Sequence, residues 1–517
     1  ALPAPEQSAV AVRGYEAPVG EVETTLAQIW QDLLGLARVG RHDHFFELGG
    51  HSLLVISVIE RLRQQGWELD VRTVFTAPVL ADLARAIQVS PGDAPAFIVP
   101  PNRIPDDNTV LTPAMLPLVT LSQTEIDTIV NRVSGGVANV QDIYPLAPLQ
   151  EGILFHHRLD SHRDPYVISS LLCVDSQTNL DAFTVALQKV IDRHDILRTA
   201  VHWAGLSQPV QVVHRHAPLP VHRLTLEDCD DVAASLQTRM TLSYGQLDLS
   251  QAPLIRLQTA ADPHSARRYV LIQFHHIIND NLSLRQVLAE TMAFLLGKSA
   301  ALPPSVPYRN FVAYARQESH IQTAETFFPD YLADLDEVTA PFGLINVQEG
   351  GEHTAEAQQS LNAGLSCALR ETARRLGTSP AALFHAGWAL VVARTSGRDD
   401  IVFGTTLSGR MSGMAGSAGA LGMFINTLPV RLKLKGISAE ALIKAVTDTC
   451  ASLLQYEQTP LSLVQRYSGL GNMPLFSALL NCRHVSDDKD NDPLNLAQFG
   501  VTALAGCGRT NYPVGIS

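Results

Sequence analysis

Two pairs of adjacent histidines are each followed by an aspartate. Residues 155–166 read FHHRLDSHRDPY and residues 274–281 read FHHIINDN. An imidazole has a pKa near neutrality, so it can take up or release a proton at working pH, and a nearby carboxylate can orient its ring. Both stretches are therefore candidates for proton-transfer chemistry.

The second pair, His275 and His276, follows the apolar run RYVLIQF, which is typical of a buried strand. Successive strand side chains point to opposite faces, so only one of these histidines can face a given cavity. Asp280 lies close enough along the chain to orient the site. The residues alone support equally well a strand-end pair without a chemical role, with Asp280 capping the next helix.

A third candidate is Ser52 in LGGHSL, where two glycines allow a tight turn before a helix. The N-terminus of a helix presents unpaired N–H groups and a partial positive charge, which suit a phosphate ester. Serine is also a common helix N-cap, and the spacing alone favours that simpler role.

Short amphipathic helices must position this serine. They are predicted at residues 22–36, 52–66 and 77–88, within a four-helix bundle over residues 15–90. The apolar face of the first helix consists of Leu26, Ile29, Trp30, Leu33 and Leu34.

Both histidine pairs fall in a longer region where strands such as YVISSLLCV, DIVFGTTL and NTLPVRLKL alternate with helices such as NLDAFTVALQKVIDRH. We predict two α/β lobes, at 142–305 and 306–517, after a Pro-rich linker at 91–141. The Gly- and Ser-rich stretch 408–424 lacks the GK[ST] of a phosphate loop, and we interpret it as a mobile loop crossing between the lobes.

Composition excludes several classes of protein. The 517 residues include 38 Lys and Arg against 51 Asp and Glu, a net charge of −13 without a basic stripe, which argues against nucleic-acid and anionic-membrane binding. No apolar run reaches the length of a membrane span, and no signal peptide is evident. The six scattered cysteines form no CxxC pair, so we expect reduced thiols in the cytoplasm and no zinc site.

The stretch DHFFELGGHSLL, on a small helical unit preceded by LPAPE, resembles the peptidyl carrier protein of nonribosomal peptide synthetases. The resemblance implies that Ser52 carries 4′-phosphopantetheine, attached by a phosphopantetheinyl transferase. It also implies that residues 1–14 are a linker from an upstream adenylation domain. The absence of an initiator Met fits a fragment of a longer polypeptide.

The longer region resembles the condensation domain family of the same synthetases, in six stretches that follow in order: YPLAPLQEGILF, RHDILRTAV, FHHIINDNLSL, YRNFVAYAR, LGMFINTLPVRL and MPLFSALLNCRH. The family motif HHxxxDG is matched at His275, His276 and Asp280, with Asn281 in place of Gly. We expect Asn to tolerate the left-handed backbone of such a turn.

This resemblance implies two chloramphenicol-acetyltransferase-like lobes in a V, with a tunnel between them in which a donor thioester meets an acceptor amine. His276 would face the tunnel, either as a base or as a group that holds the amine. Asp280 would be structural, and Arg198 is the predicted partner of its carboxylate. Asn426 would line the tunnel from the other side, or alternatively cap a loop.

The first histidine pair resembles a motif of dual epimerisation/condensation domains: HH, an aliphatic residue, four variable positions, then Gly-Asp. His156, His157 and Asp164 match it, whereas Arg158 and Arg163 replace the aliphatic residue and the Gly. The implied chemistry is removal and return of the donor Cα proton before condensation. A structural role, closing the first helix against the linker, is the alternative for this pair.

Three other functions remain open from the sequence: plain condensation, a stand-alone epimerisation domain, and a non-catalytic recruitment platform, which typically lacks the HHxxxDG histidines. The implied partners are an upstream adenylation domain, a downstream adenylation domain and an acceptor carrier. Condensation domains usually extend several dozen residues beyond the NYP at 511–513, so we expect the second lobe to be incomplete at its end.

Overall fold

The computed structural model describes residues 15–50, 52–89, 97–159, 164–225, 231–242, 247–345, 355–411, 414, 416–471, 473–482, 496–507 and 512–517. The linker predicted at residues 1–14 lies outside these ranges, as does Arg163 of the first histidine motif.

The N-terminal unit consists of four helices and a small antiparallel sheet: α1 (Gly20–Leu34), α2 (Ser52–Gln64), β1 (Trp67–Glu68), α3 (Val71–Thr76), α4 (Leu80–Ala86) and β2 (Gln88–Val89). Leu26, Ile29 and Trp30 of the predicted α1 face are buried. The ring of Trp30 packs on Phe45 with centroids 5.0 Å apart. Burying a side chain such as Phe45 stabilises a fold by about 1.5–3 kcal/mol, so this core holds the unit together.

The Pro-rich segment after this unit is folded against the next sheet. Its helix, α5 (Gln123–Val130), begins after Ser122, and Ser122 and Glu125 form a reciprocal capping box. Ile126 of α5 packs with Val212 in a separate apolar cluster. This segment therefore belongs structurally to the first lobe.

The first lobe contains β3 (Val140–Pro145), α6 (Pro148–Leu159), β4 (Val167–Val174), α7 (Gln177–Arg193), β5 (Thr199–His202), β6 (Val210–His214), β7 (Val221–Arg223), α8 (Val232–Leu242), β8 (Ile255–Ala261), β9 (Arg268–His275) and α9 (Asn281–Leu295). Strands β3, β6 and β5 form an antiparallel sheet. In the larger sheet, β9 lies antiparallel between β4 and β8, and β7 is parallel to β8. The apolar faces of α7 and α9 share one core with this sheet.

The second lobe contains α10 (Tyr308–Ala315), α11 (Glu318–Leu332), α12 (Ala363–Arg375), α13 (Pro380–Ser396), β10 (Asp400–Leu407), β11 (Asn426–Lys433), α14 (Ala439–Leu453), α15 (Leu461–Arg466), β12 (Ala478–Leu480), β13 (Val501–Cys507) and β14 (Val514–Ile516). Its sheet has the order β11-β10-β12-β14, with β10 and β11 antiparallel and the other pairs parallel.

Within the described residues no single helix has the length and apolar composition to cross a membrane; α12 and α13 meet that test only as a pair bent by 104°.

Two late segments return to the first lobe. Strand β13 pairs antiparallel with β4 and so extends the first-lobe sheet. The other is part of the Arg410 loop, the name used here for residues 408–411, 414 and 416–425. Its residues Leu421 and Phe424 are buried in the first-lobe core, and the hydroxyl of Tyr308 donates to the carbonyl of Met423 at 2.5 Å. The predicted crossing is present, and its described part is packed into the first-lobe core.

Gly409 allows the start of the Arg410 loop to pass close to the end of the same loop at Phe424. Its φ is +66°, and a Cβ at this position would overlap the carbonyl oxygen of Phe424. Glycine is therefore required both for the left-handed backbone and for the close approach.

We expect Gly409→Ala to lower the free energy of unfolding by about 2 kcal/mol or more, because left-handed backbone and overpacking both oppose the added methyl group. Urea unfolding of the full chain measures this. Gly419→Ala in the same loop is the control, since a Cβ there meets no atom within 4 Å, and it should change stability by less than about 0.5 kcal/mol. Equal stability of the two variants would contradict the assignment.

Candidate active site at two histidine pairs

The second histidine pair lies where β9 ends. His275 is the last residue of the strand, pairs in register with Val167 of β4 and is fully buried. His276 begins the short 3-10 turn that follows, and its side chain is only partly buried. The two rings therefore differ in exposure, as strand alternation predicts.

A single buried carboxylate joins the two histidine pairs. Oδ2 of Asp164 lies 2.5 Å from Nδ1 of His157 and 2.8 Å from Nε2 of His275. Its Oδ1 accepts the backbone N–H of Tyr166 at 3.0 Å. Asp164 and His275 are fully buried, and the His157 side chain is 14% exposed. The two pairs are separate motifs in the sequence, whereas in the fold His157, Asp164 and His275 form one hydrogen-bonded cluster.

The contacts of Asp164 determine its charge. Burial favours the neutral acid, but the hydrogen bonds from His157 and His275 outweigh burial and hold the pKa of Asp164 below its ordinary value. The carboxylate is therefore ionised and can only accept hydrogen bonds. Both imidazoles donate an N–H to it.

The protonated nitrogen differs between the two imidazoles. His157 donates from Nδ1, so in its neutral form the lone pair is on Nε2. His275 donates from Nε2, because its Nδ1 accepts the backbone N–H of Ile277 at 3.1 Å. Burial lowers the pKa of His275 despite the opposing effect of Asp164, so this ring stays neutral. His157 thus retains a nitrogen that can take up a proton, while both nitrogens of His275 are engaged.

His157, Asp164 and His275 also have the residue types and proximity of a metal site, with their ligand atoms all within 4.8 Å of one another. The tautomer of His275 argues against that use. Its Nε2 bears the proton donated to Asp164 and has no lone pair for a metal ion. The geometry favours a hydrogen-bonded cluster.

His276 is held by its own turn. Its Nδ1 lies 2.6 Å from the carbonyl oxygen of Asn279, and its backbone N–H donates to the carbonyl of Tyr166 at 2.7 Å. A carbonyl only accepts, so Nδ1 carries a proton, and in the neutral ring the lone pair is on Nε2. The ring can accept a proton, or a hydrogen bond from an amine, at Nε2.

Gln150 ties the first histidine helix to this turn. Its buried side-chain amide donates to the carbonyl of Ile277 at 2.7 Å and to Oε1 of Gln211 at 2.9 Å. Because Gln150 lies on α6, which also carries His156 and His157, the helix and the turn are fixed to each other. The motif YPLAPLQEG contains this residue, but its type alone gives no signal of the contact.

His156 lies beside the rings of Phe155 and Tyr166, with centroids 5.7 Å and 6.2 Å away. Burial lowers the pKa of His156. Of the first pair, His157 is therefore the one bonded to the ionised carboxylate, and His156 packs among aromatic rings.

Asp280 pairs with an arginine, as predicted, but with a different one. Nη2 of Arg410 lies 3.1 Å and 3.3 Å from the two carboxylate oxygens, and both side chains are buried. Asp280 also caps α9 by accepting the backbone N–H of Ser283 at 2.7 Å. Its role as a helix cap, which the sequence left open, is thus present together with the ion pair.

The predicted pairing of Asp280 with Arg198 is wrong. Arg198 is buried elsewhere in the first lobe, where its guanidinium donates to Oε1 of Gln141 at 2.7 Å and to the carbonyls of Ile191 and His214. Local patterns offer no means of choosing among the arginines, and Arg410 lies in a stretch interpreted only as a loop.

Asn281 does not need a left-handed backbone. It is the first residue of α9, and Phe342 is the only non-glycine residue with positive φ in the described part of the chain. The expectation of a left-handed turn is therefore wrong, and a side chain at position 281 causes no backbone strain.

Asn426, the first residue of β11, caps a loop. Its Nδ2 donates to the carbonyls of Glu457 and Thr459 at 2.9 Å and 2.7 Å, while its Oδ1 accepts the N–H of Thr427. Its Nδ2 therefore holds residues 457–459, while its Oδ1 is engaged by the backbone of its own strand. The contacts correct the tunnel-lining prediction in favour of its stated alternative.

Ser52 is the first residue of α2, as predicted, although its side chain is not described. The turn before it is tightly packed, because a Cβ on Gly50 would lie 2.5 Å from the ring of Phe45. A hydroxyl residue at the start of a helix fits a covalently attached phosphate ester.

Comparison with known proteins agrees with this architecture. A family model described as condensation domain matches residues 140–513, and one described as phosphopantetheine attachment site matches residues 24–87. Malpinin synthetase of Mortierella alpina is 43% identical over 520 residues, covering 100% of this chain, and a linear gramicidin synthase of Brevibacillus parabrevis is 31% identical over 422 residues, covering 78%. The chain spans 7% and 5% of their respective lengths.

Among solved structures, the condensation domain from Monacolin K polyketide synthase matches with a TM-score of 0.56 at 16% identity, covering 73% of this chain and 89% of that chain. The fold is that of a two-lobed condensation domain preceded by a carrier domain. The chain belongs to the condensation domain family and contains the carrier and condensation domains of a nonribosomal peptide synthetase. The predicted fold class, a small helical carrier followed by chloramphenicol-acetyltransferase-like lobes, is confirmed, and the carrier domain is the site of 4′-phosphopantetheine attachment.

We expect Asp280→Asn to lower the free energy of unfolding by roughly 3–5 kcal/mol, because it leaves the buried Arg410 guanidinium without a counter-charge. A double-mutant cycle by urea unfolding tests the pairing. Asp280→Asn combined with Arg410→Gln should cost less than the sum of the two single changes. For Asp280→Asn combined with Arg198→Gln, the two losses in free energy of unfolding should simply add. Coupling of Asp280 to Arg198 instead of Arg410 would contradict the assignment.

Proposed function

We propose that this chain joins a donor aminoacyl or peptidyl thioester to the α-amine of an acceptor aminoacyl thioester. Ser52 would bear 4′-phosphopantetheine, which supplies the thiol that holds the donor. The carrier precedes the condensation domain, so it would serve the donor side. The main support is His276, whose ring is fixed by Asn279 and whose Nε2 is left to accept.

In this reaction the acceptor nitrogen bonds to the donor carbonyl carbon, and the carbon–sulfur bond breaks. The attacking amine must lose a proton, and the leaving thiolate must gain one. Nε2 of His276 can take the first proton and return it, or hold the amine by a hydrogen bond while the proton passes directly. Both roles need the neutral ring, whose lone pair is on Nε2 because Nδ1 donates to the carbonyl of Asn279.

We further propose that the donor is epimerised from L to D before it is joined. The support is the His157–Asp164 pair, in which an ionised carboxylate orients an imidazole and would stabilise the imidazolium formed when Nε2 takes a proton. The thioester carbonyl acidifies the Cα–H bond. Return of a proton to the opposite face of that carbon would give the D-epimer.

Two arginines, Arg158 and Arg163, stand where the dual epimerisation/condensation motif has an aliphatic residue and a glycine. Arg158 is exposed on α6, so its charge does not have to be buried beside the cluster. Arg163 lies outside the described residues. The residues that would perform the chemistry, His157 and Asp164, are both retained and in contact.

The partners would be those of a synthetase module: an upstream adenylation domain, a downstream adenylation domain with its acceptor carrier, and a phosphopantetheinyl transferase. We propose the carrier at 15–90 and the lobes at 142–305 and 306–517, with β13 contributing to the first-lobe sheet.

His276→Ala should lower the rate of peptide-bond formation by roughly 10²- to 10⁴-fold, the usual contribution of a positioned acid or base. The measurement uses the phosphopantetheinylated chain, loaded with an L-aminoacyl donor and mixed with an acceptor thioester, with product quantified by mass. Arg61→Ala on the carrier surface is a control that should leave the rate unchanged. An unchanged rate for His276→Ala would remove this residue from the mechanism.

His157→Ala should abolish deuterium incorporation at the donor Cα in heavy water, and Asp164→Asn should reduce it strongly, because the ring loses its orienting charge. Mass spectrometry of the released donor measures the uptake, and chiral analysis measures the D-epimer. Arg158→Ala is the matched control on the same helix and should exchange like the unmodified chain.

The same experiment separates the alternatives. Peptide formation without deuterium uptake in the unmodified chain would reduce the enzyme to plain condensation. Uptake without peptide formation would identify a stand-alone epimerisation domain. Absence of both from a correctly loaded chain would favour a recruitment role.

A further inference from the structure

Helix α2 of the carrier lies against the Arg410 loop of the condensation domain. Residues from both sides line a narrow cleft between them: Ile56, Ile59, Glu60 and Arg63 from the helix, and Arg410, Met411, Met414 and Ser417 from the loop. The backbone N–H of Gly416 donates to Oε1 of Glu60 at 3.4 Å, and the other carboxylate oxygen of Glu60 lies 3.6 Å from Arg63. The contact thus combines apolar packing with a hydrogen bond.

The contacting face of α2 includes the start of the helix. Positions 52, 56, 59 and 63 follow one another at spacings of four, three and four residues, so they share one side of a helix. The serine position that would carry the donor is therefore on the side that meets the condensation domain.

A second contact fixes the carrier on the same lobe. Helix α3 packs near α14, and buried apolar residues of the carrier, such as Val74, belong to one continuous cluster with residues of the second lobe, such as Val446. Two helices of the carrier thus rest on the condensation domain. The carrier is docked rather than tethered only by its linker.

The Arg410 loop connects this docking surface to the catalytic turn. The Arg410 guanidinium donates to the carbonyls of Ser417 and Ala420 at 2.6 Å and 2.8 Å, and to the carboxylate of Asp280. It also lies 3.6 Å from the ring centroid of Phe424. The Arg410 side chain therefore holds the loop closed. It also fixes Asp280, which lies four residues after His276 and ends the HHxxxD turn.

We propose that the docked carrier is a positioning element for the catalytic turn, in addition to being the bearer of the donor. Contact of α2 with the Arg410 loop holds Arg410 on Asp280, and thereby the turn that carries His276. The rate of condensation then depends on carrier docking even for a donor that is not attached to the carrier. This inference rests on the proposed condensation activity.

The competing role for the contact is delivery alone, in which docking raises the local concentration of donor near the active site. Delivery affects only carrier-bound substrate. Positioning affects every substrate, because it acts on the turn, and a small displacement of a catalytic group can cost up to about 10²-fold in rate. A donor free in solution therefore distinguishes the two roles.

The test uses the full chain with Ser52→Ala, so that the carrier cannot be loaded, and supplies both donor and acceptor as soluble aminoacyl-pantetheine thioesters. Adding Glu60→Lys, which removes the acceptor for Gly416 N–H, should lower kcat roughly ten- to hundred-fold with little change in KM for the donor. Met414→Lys, on the loop side of the same contact, should have the same effect.

Two variants control this experiment. Glu60→Gln retains a carbonyl oxygen that can accept from Gly416 and should keep nearly full kcat. Arg61→Ala, on α2 but paired with Asp32, should not change kcat. Phosphopantetheinylation of the corresponding Ser52 chains at normal rates would show that each carrier is still folded.

Each outcome is decisive. If Glu60→Lys slows only the carrier-loaded reaction and leaves the soluble-donor reaction unchanged, docking serves delivery and this inference is wrong, while the proposed condensation stands. If the loaded chain forms peptide but the Ser52→Ala chain gives none from soluble donor, the docked carrier is insufficient and the inference is again overturned. If the loaded chain forms no peptide, the proposed function itself fails.

Discussion

The active region depends on one buried carboxylate. Asp164 has no exposed surface, and an isolated charge in such a position costs several kcal/mol. Hydrogen bonds from His157, His275 and the backbone of Tyr166 compensate for that cost. In return, the carboxylate fixes Nδ1 of His157 as a donor and holds the ring of His275, which directly precedes His276. The two histidine motifs, which are far apart in sequence, therefore share one electrostatic centre.

A second buried charge pair connects the lobes. Asp280 belongs to the first lobe and Arg410 to a segment that leaves the second lobe and returns to it. The pair, the cation–π contact with Phe424 and the burial of Leu421 fix this crossing. Since the outer side of the same loop contacts carrier helix α2, the structure offers a short physical connection between the carrier surface and the catalytic turn.

Much of this arrangement follows from local sequence. Helical periodicity predicts the carrier bundle, and β10 and β11 coincide with their predicted apolar strands, because both depend on burial patterns within one element. Contacts between distant elements were not predictable. Nothing local distinguishes Arg410 from Arg198 as the partner of Asp280, or indicates that Asp164 reaches His275, since those distances are set by how the strands pair. The loop role of Asn426 likewise becomes evident only when residues 457–459 lie beside it.

The claim that one carboxylate organises both histidine pairs can be measured directly from the tautomers of the two rings. Nitrogen-15 NMR of the histidine-labelled chain, assigned with His157→Gln and His275→Gln, reports which imidazole nitrogen carries the proton. We expect a proton on Nδ1 of His157 and on Nε2 of His275, with both signals shifted in Asp164→Asn. A proton on Nε2 of His157, or two rings that do not respond to Asp164→Asn, would contradict it.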